Sequence, residues 1–549
     1  MFAVIFVSIF LLHVPLLRLP YFWDEAGHYV PAARDILSSA SFTPRSTVSN
    51  AHPPLVMAWL ALFWKVMGYA PPVTRTAMLV LASFSLLGVF RLTERVANTK
   101  VAIGATLCTA VYPVFFAQSS LAQVDLAAAG LIFWGLSAYV EGHAVGTVLW
   151  FALAALAKET AILAPVALAA WEMIGVLARK TSLHTLWPDR EEERTNSGSN
   201  RGAARRIVCL IIPVVPLALW YLYHYQRTGY VFGNPEFFRY NVAATLSTTR
   251  FFLALAMRLW QVSGYLHLWV LTLAILGAMW MLSPESDAGS ERPRISLPVQ
   301  MVFYVIVLTY VMAMALIGGA VLARYMLPAV PLIIIVCVST LWRRLRFWRA
   351  AIACVALAFV AAWFWNPPYG FSPEDNLAYR DYIVLHEEGE QFLEARYPMA
   401  RVLTAWPASD ELTRPWLGYV TRPLRVVRIE DFSLDEVLSA ADLHSSISGS
   451  NFEVALVFST KYEPGPALWD QWRTWTEWKT RFFGFHRDLP PAAAAQILGG
   501  HIVFSEQRKG QWIAVIEMEQ IEEAKLPRRS QFQSFFSQPT SREGSIPDR

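Results

Sequence analysis

Trp23-Asp24-Glu25-Ala26-Gly27-His28-Tyr29 follows directly on the apolar run that opens the chain, Phe2 to Leu17. Charged side chains at the edge of a membrane are costly to hold away from water, so a cluster of them placed there points to a function. Further on, His52-Pro53-Pro54-Leu55 again opens an apolar run. The pattern predicts a polar loop between membrane segments, with chemistry at one face of a bilayer.

Composition makes the first apolar run one of many. Of 549 residues, 55% are hydrophobic and 16% charged, against about 25% charged in soluble domains. A mean hydropathy of +0.36 over so long a chain demands many spanning helices. The net charge of +4 gives nucleic-acid binding no electrostatic support. Cys108, Cys209, Cys337 and Cys354 sit in apolar segments without paired spacing, so neither a disulfide framework nor a zinc site is expected. The first run lacks a basic start and a small-residue cleavage site, which predicts a retained helix rather than a signal peptide.

A spanning helix needs about 20 mostly apolar residues, which gives about eleven candidates. They are 2–20, 76–92, 101–117, 125–140, 146–160, 161–178, 207–224, 265–282, 298–317, 326–342 and 350–366. The run 146–178 is too long for one span and is split at Lys158-Glu159 into a tight hairpin. Basic loop residues orient the spans. Arg91, Arg95 and Lys100 fall in one loop, and Arg179, Lys180, Arg190, Arg194, Arg201, Arg205 and Arg206 in a second. Arg292 and Arg294 fall in a third, and Arg343, Arg344, Arg346 and Arg349 in a fourth. All four lie on the side of the N-terminus, which is therefore expected to be cytoplasmic, with 189–204 as a flexible loop there.

The opposite side, the periplasm of a bacterium or its exterior, then receives the loop 21–75, the Lys158-Glu159 turn, 225–250, Gly318 to Tyr325 and everything after Trp365. From 367 onward polar residues return. The runs Arg401 to Trp406, Val454 to Phe458 and Trp512 to Ile516 read as strands, with helices near 376–396 and 433–442. The expected fold is a polytopic α-helical membrane domain over 1–366, a soluble periplasmic α/β domain over 367–525, and a disordered tail over 526–549.

Several ionisable residues converge on the non-cytoplasmic face. Asp24 and His28 share one face of a helical segment, and Glu25 and Tyr29 share another. A carboxylate held there can act as general base or bind a divalent cation; a solvated helix start favoured by the dipole is the plainer alternative. His52 suits a phosphate or metal contact, or is an exposed loop histidine. Asp125 opens a span, where a lone carboxylate has a partner, a purpose or an N-cap role. Lys158 and Glu159 form a simple pair at a hairpin tip, or Lys158 helps hold a phosphate. Arg324, beside Tyr325, presents a fork that matches phosphate oxygens, or it snorkels to the interface. Together these residues suit a phosphorylated lipid and a hydroxyl acceptor.

On these residues the chain resembles the membrane glycosyltransferases of the GT-C fold. The resemblance is to the branch that holds protein O-mannosyltransferases, aminoarabinose transferases of lipid A and Rgt-type lipopolysaccharide galacturonosyltransferases. It rests on Asp24-Glu25 with Tyr29, His52-Pro53-Pro54-Leu55, Asp125, Ala157-Lys158-Glu159 and Arg324-Tyr325-Met326-Leu327-Pro328, and covers about residues 1–366. It implies a GT-C-like enzyme of the bacterial inner membrane. Such an enzyme transfers a sugar, with inversion, from a polyprenyl-phosphate donor to a lipid, glycan or protein acceptor. Asp24 would be the base or acceptor-orienting carboxylate, Glu25 its support and Asp125 a second acidic catalytic residue. His28, Tyr29, His52, Lys158, Glu159, Arg324 and Tyr325 would bind substrate. His52 stands where the aminoarabinose transferases carry a lysine near the donor phosphate, and Ala51 where they carry a metal-ligand glutamate. Their metal site is therefore not carried over, and a divalent cation is compatible with the chemistry without being required. The competing class is a transporter or flippase, which would show repeated halves and charge near the midplane; the sequence shows no repeat.

Overall fold

The computed structural model describes residues 1–49, 51–178, 199–233, 247–281, 292–317, 319–446, 452–462, 472–483 and 485–519. Arg179, Lys180, Arg190, Arg194, Gly318, most of the loop 189–204 and the tail 526–549 lie outside them.

Helix α1 (Phe2–His13) leads into a short wide turn, Glu25–Tyr29, and then α2 (Val30–Ser39) and α3 (Leu55–Met67). The long α4 (Pro71–Val96) starts on two prolines, whose fixed φ suits a first helical turn. In α5 (Thr99–Val111), Asn98 caps the start by accepting from the Val101 N–H at 3.1 Å. α7 (Asp125–Glu141) follows the short α6 (Pro113–Gln118), and α8 (Ala144–Ala157) runs back beside α7. Close approach of α4 and α7 depends on Gly130, where a side chain would overlap Ser85, and α7 meets α8 at Gly135, where a Cβ would lie 2.8 Å from the Phe151 ring. Small residues at such crossings let helix backbones approach within van der Waals reach.

After Lys158 breaks the helix with extended backbone, a short turn leads into α9 (Leu163–Ala178). Next come α10 (Ser199–Ile211), α11 (Val214–Thr228), α12 (Thr248–Ser263), α13 (Leu268–Trp280), α14 (Leu297–Leu316), α15 (Val330–Arg344) and α16 (Trp348–Phe364). Among the described residues five helical stretches are long and apolar enough to cross a membrane, namely Pro71–Val96, Glu159–Ala178, Gly202–Thr228, Thr248–Trp280 and Leu297–Leu316. The chain is an integral membrane protein on this basis.

Among the described residues the eleven expected spans correspond only in part to the helices. Several occur as apolar helices of 10–17 residues. The expected span 101–117 is broken at Tyr112, whose ψ of 126° precedes Pro113; a proline disfavours helical backbone in the residue before it. The helix α12 belongs to none of the expected spans. A sharp turn at Leu266 and His267, both at positive φ, joins it to α13.

The remaining residues build a sheet of order β2-β1-β3-β5-β4. Its strands are β1 (Arg401–Ala405), β2 (Arg425–Ile429), β3 (Val454–Phe458), β4 (Gly500–Arg508) and β5 (Gln511–Met518). β1 pairs parallel with β2 and β3, and β5 pairs antiparallel with β3 and β4. The central β3 is buried throughout, as its unbroken apolar run requires. α17 (Ala378–Arg396) packs on β4 and β5, and the short α18 (Ala408–Thr413) follows β1.

This sheet unit sits directly on the loop that carries Asp24. The Tyr419 hydroxyl donates to Tyr21 O at 3.0 Å, Tyr69 donates to Trp416 O at 2.8 Å, and the Trp23 and Trp406 rings meet edge-on with centroids 5.1 Å apart. A Cβ on Gly27 would lie 2.6 Å from Trp406, so only glycine allows this close docking.

Candidate active site

Four segments far apart in sequence meet at Arg324. Its Nη2 donates to Asp24 Oδ2 at 2.6 Å, and its Nη1 to Glu374 Oε2 and Gln123 Oε1, both at 2.5 Å. Its Nε lies 3.3 Å from Asp125 Oδ2. Gln123 in turn donates to Glu374 Oε2 at 2.8 Å. Lys158, placed where α8 ends, pairs with the other Asp125 oxygen and lies 4.0 Å from the Tyr325 ring centroid. One guanidinium fork thus organises three carboxylates, a geometry a lysine could not reproduce.

A second pair flanks this cluster. His52 Nδ1 lies 2.8 Å from Glu159 Oε2, and the Tyr29 and His52 rings stack with centroids 5.9 Å apart. Exposure differs sharply across the ensemble. Arg324, Asp125 and Glu374 side chains are at most 4% exposed, whereas Asp24 is 23% and Glu159 25% exposed. Asp24 and Glu159 therefore form the accessible edge, and the others hold it from beneath.

Backbone strain concentrates here. Trp23 (φ 44°) and Ala51 (φ 59°) adopt the left-handed region, at roughly 1–3 kcal/mol each for non-glycine residues. They immediately precede Asp24 and His52. The wide turn Glu25–Tyr29 starts at the same point; such turns recur at functional sites.

Electrostatics separates the carboxyls. Burial pushes the Asp24 carboxyl up, but Arg324, His28 and His52 outweigh it and hold it below the ordinary aspartate value. Glu374 goes the other way, raised by burial and by Asp24 despite the attraction of Arg324. An added proton therefore settles on Glu374 before Asp24. Next to it, Asp375 is pushed up to about 7 by burial and by Glu374, while accepting from the Tyr265 hydroxyl at 2.6 Å. Burial lowers the His28 imidazole, whose ring centroid is 6.1 Å from that of Trp406. Among the described residues, Asp24, Asp125, Glu159 and Glu374 face two permanent cations, Arg324 and Lys158. The cluster is thus acidic overall. It suits acceptance of a proton from a hydroxyl and, at its open edge, a cation.

The structure brings together Asp24, Asp125, Lys158, Arg324 and Tyr325, with Tyr29, His52 and Glu159 alongside. Glu25 does not join them. Fully buried, it pairs with Arg75 and accepts from the Phe22 and Ala122 N–H groups, while Arg75 also donates to Pro20 O at 2.6 Å. Both Glu25 oxygens are committed to partners that hold the loop. Glu374 and Gln123 are absent from the sequence-derived set. Arg75 is absent too, although an arginine within the apolar α4 is itself a signal of a buried partner.

This helical body, with its sheet unit beside the loop, has the GT-C fold of membrane glycosyltransferases. Among solved structures it is similar to ArnT from Cupriavidus metallidurans in the apo state, with a TM-score of 0.50 and 14% identity over 93% of this chain and 97% of that one. The same protein bound to undecaprenyl phosphate gives a TM-score of 0.49 at 14% identity, with the same coverage. The Archaeoglobus fulgidus oligosaccharyltransferase AglB, in complex with an inhibitory peptide and a dolichol-phosphate, gives 0.45 at 11% identity over 93% of this chain and 74% of that one. No family model and no curated protein matches the chain.

Proposed function

We propose that this chain transfers a sugar from a polyprenyl-phosphate donor to a hydroxyl of a lipid, glycan or protein acceptor, at the periplasmic face of a bacterial inner membrane. The observation that carries this reading is the position of Asp24. It is the partly exposed carboxylate of the three on Arg324, and its backbone is held by a strained residue. The GT-C fold supports the class of reaction, and the residues quoted for the sequence resemblance supply the donor class.

The acceptor hydroxyl gives its proton to Asp24 as its oxygen attacks the anomeric carbon, and the bond from that carbon to the phosphate oxygen breaks with inversion. The bonding pair leaves with the polyprenyl phosphate. Arg324 and Lys158 are the nearest permanent cations to offset that charge. In the resting cluster Arg324 depresses the basicity of Asp24. A donor phosphate that shares the guanidinium would relax this hold and strengthen the base as the donor arrives. Asp125 keeps Lys158 and Arg324 in register, and His52, Tyr29 and Glu159 line the open edge.

The test is transfer by the full chain in lipid vesicles, with a polyprenyl-phosphate-linked sugar as donor and envelope extract as acceptor, read by mass spectrometry. Envelope glycans of cells with and without the protein are read in parallel. A glycan that requires the protein and forms in the vesicles is expected. Identical glycans together with lipid movement across the vesicle and no new glycosidic bond would establish the transporter instead.

A further inference from the structure

A second polar cluster lies away from Arg324, inside the sheet unit. Helix α17 presents His386 and Glu390 one turn apart, and α18 brings Glu411 against them. All three are at most 1% exposed. His386 Nδ1 stands 2.6 Å from Glu411 Oε2 and 3.6 Å from Glu390 Oε1. One ligand atom from each residue lies within 4.8 Å of the others.

The cluster holds more acceptor oxygens than donors. Among the described residues no N–H or hydroxyl donates to either oxygen of Glu390 or to Glu411 Oε1, and the Glu411 carboxyl itself lies within hydrogen-bond reach of Glu390. No lysine or arginine among the described residues pairs with either carboxylate. The walls are apolar and aromatic, with the Tyr382 ring stacked on His386 at 4.0 Å and Phe458 at 4.5 Å. Buried carboxylates are paired or ligate metals, because an unpaired charge in such surroundings is heavily penalised. One imidazole cannot balance two carboxylates.

We propose that His386, Glu390 and Glu411 form a structural metal site for one divalent transition cation of the zinc class. An imidazole nitrogen with two carboxylate oxygens is a donor set this class takes. The ion would tie α17 to α18. Tyr382, one turn before His386, meets Phe22 at 5.2 Å and Trp23 at 5.7 Å, and α18 begins just after Trp406, which covers Gly27. The metal would thus brace the floor beneath the loop that carries Asp24.

The test uses the full-length chain in detergent, stripped with a chelator and reloaded with Zn²⁺. Elemental analysis after gel filtration should find one zinc per chain, kept by Asp24→Asn and lost by Glu390→Gln and Glu411→Gln. Zinc should raise the unfolding midpoint of the parent chain by roughly several degrees and leave Glu390→Gln unmoved. Because a core variant could fail to fold, Co²⁺ is also added to the stripped parent chain, where the visible bands of a cobalt ion on nitrogen and oxygen ligands are expected. A parent chain that takes up neither ion overturns the site and leaves a proton-sharing carboxyl pair. Zinc retained in full by folded Glu390→Gln and Glu411→Gln overturns it as well. Neither result bears on sugar transfer, which is read separately.

Discussion

Arg324 reaches Asp24 at 2.6 Å across 300 residues of sequence. The same guanidinium holds Asp125 and Glu374, so the side chain proposed as base is positioned by a residue that also fixes two buried carboxylates.

Asp24→Asn keeps the shape of the side chain and a contact to Arg324 but removes the proton acceptor. Transfer should fall by about 10²–10⁴-fold with the unfolding midpoint close to that of the parent. Initial rates in vesicles measure this, and a rate equal to the parent's would remove Asp24 as base.

Arg324→Lys retains one positive charge and loses the fork. An ammonium cannot hold Asp24, Asp125 and Glu374 together, and charge-assisted hydrogen bonds contribute about 1.5–3 kcal/mol each. Turnover should drop by roughly 10–100-fold, equivalent to losing one such bond. A lysine variant as active as the parent would show that charge alone suffices there.

Glu25→Gln should separate structure from chemistry. Breaking the buried pair with Arg75 costs about 3–5 kcal/mol, so the unfolding midpoint should fall. Because Glu25 is fully buried, the rate per folded molecule should stay within a few-fold of the parent's. A loss as deep as that of Asp24→Asn, at full folding, would return Glu25 to the catalytic set.

Asp375 makes stability depend on pH. Its carboxyl moves from 3.8 to about 7 on folding, so between these values the folded chain binds the extra proton. The stability this contributes is complete below the lower value and is lost as pH rises through the upper one. Asp375→Asn should therefore gain on the parent as pH rises from 5 to 8, by up to about 2.7 kcal/mol. Parallel unfolding curves at both pH values test it, and a constant difference would refute it.

Much of the cluster was legible because an ionisable residue beside an apolar run stands out. Asp24, Asp125, Lys158 and Arg324 each interrupt such a run. Glu374 does not, since it lies in Ser372-Pro373-Glu374-Asp375, away from any apolar run, and nothing local marks that its acids turn inward. Gln123 carries no charge to notice. Among the strands, β3 was visible from its unbroken apolar run. The edge strand β2 was hidden by Arg425 and Arg428, whose charges suit an unpaired edge. The span boundaries were obscured because the turns at Tyr112 and at Leu266-His267 are made by backbone conformation, which hydropathy does not register.

Glu374 lies beyond α16, on the way into the sheet unit, yet it completes the coordination of Arg324. A nascent chain that has inserted every helix up to Phe364 still holds an arginine lacking one of its carboxylates. Assembly of the Arg324 cluster must therefore wait for the polypeptide to emerge past that glutamate, so the sheet unit is no detachable accessory and late synthesis governs when the proposed centre is complete.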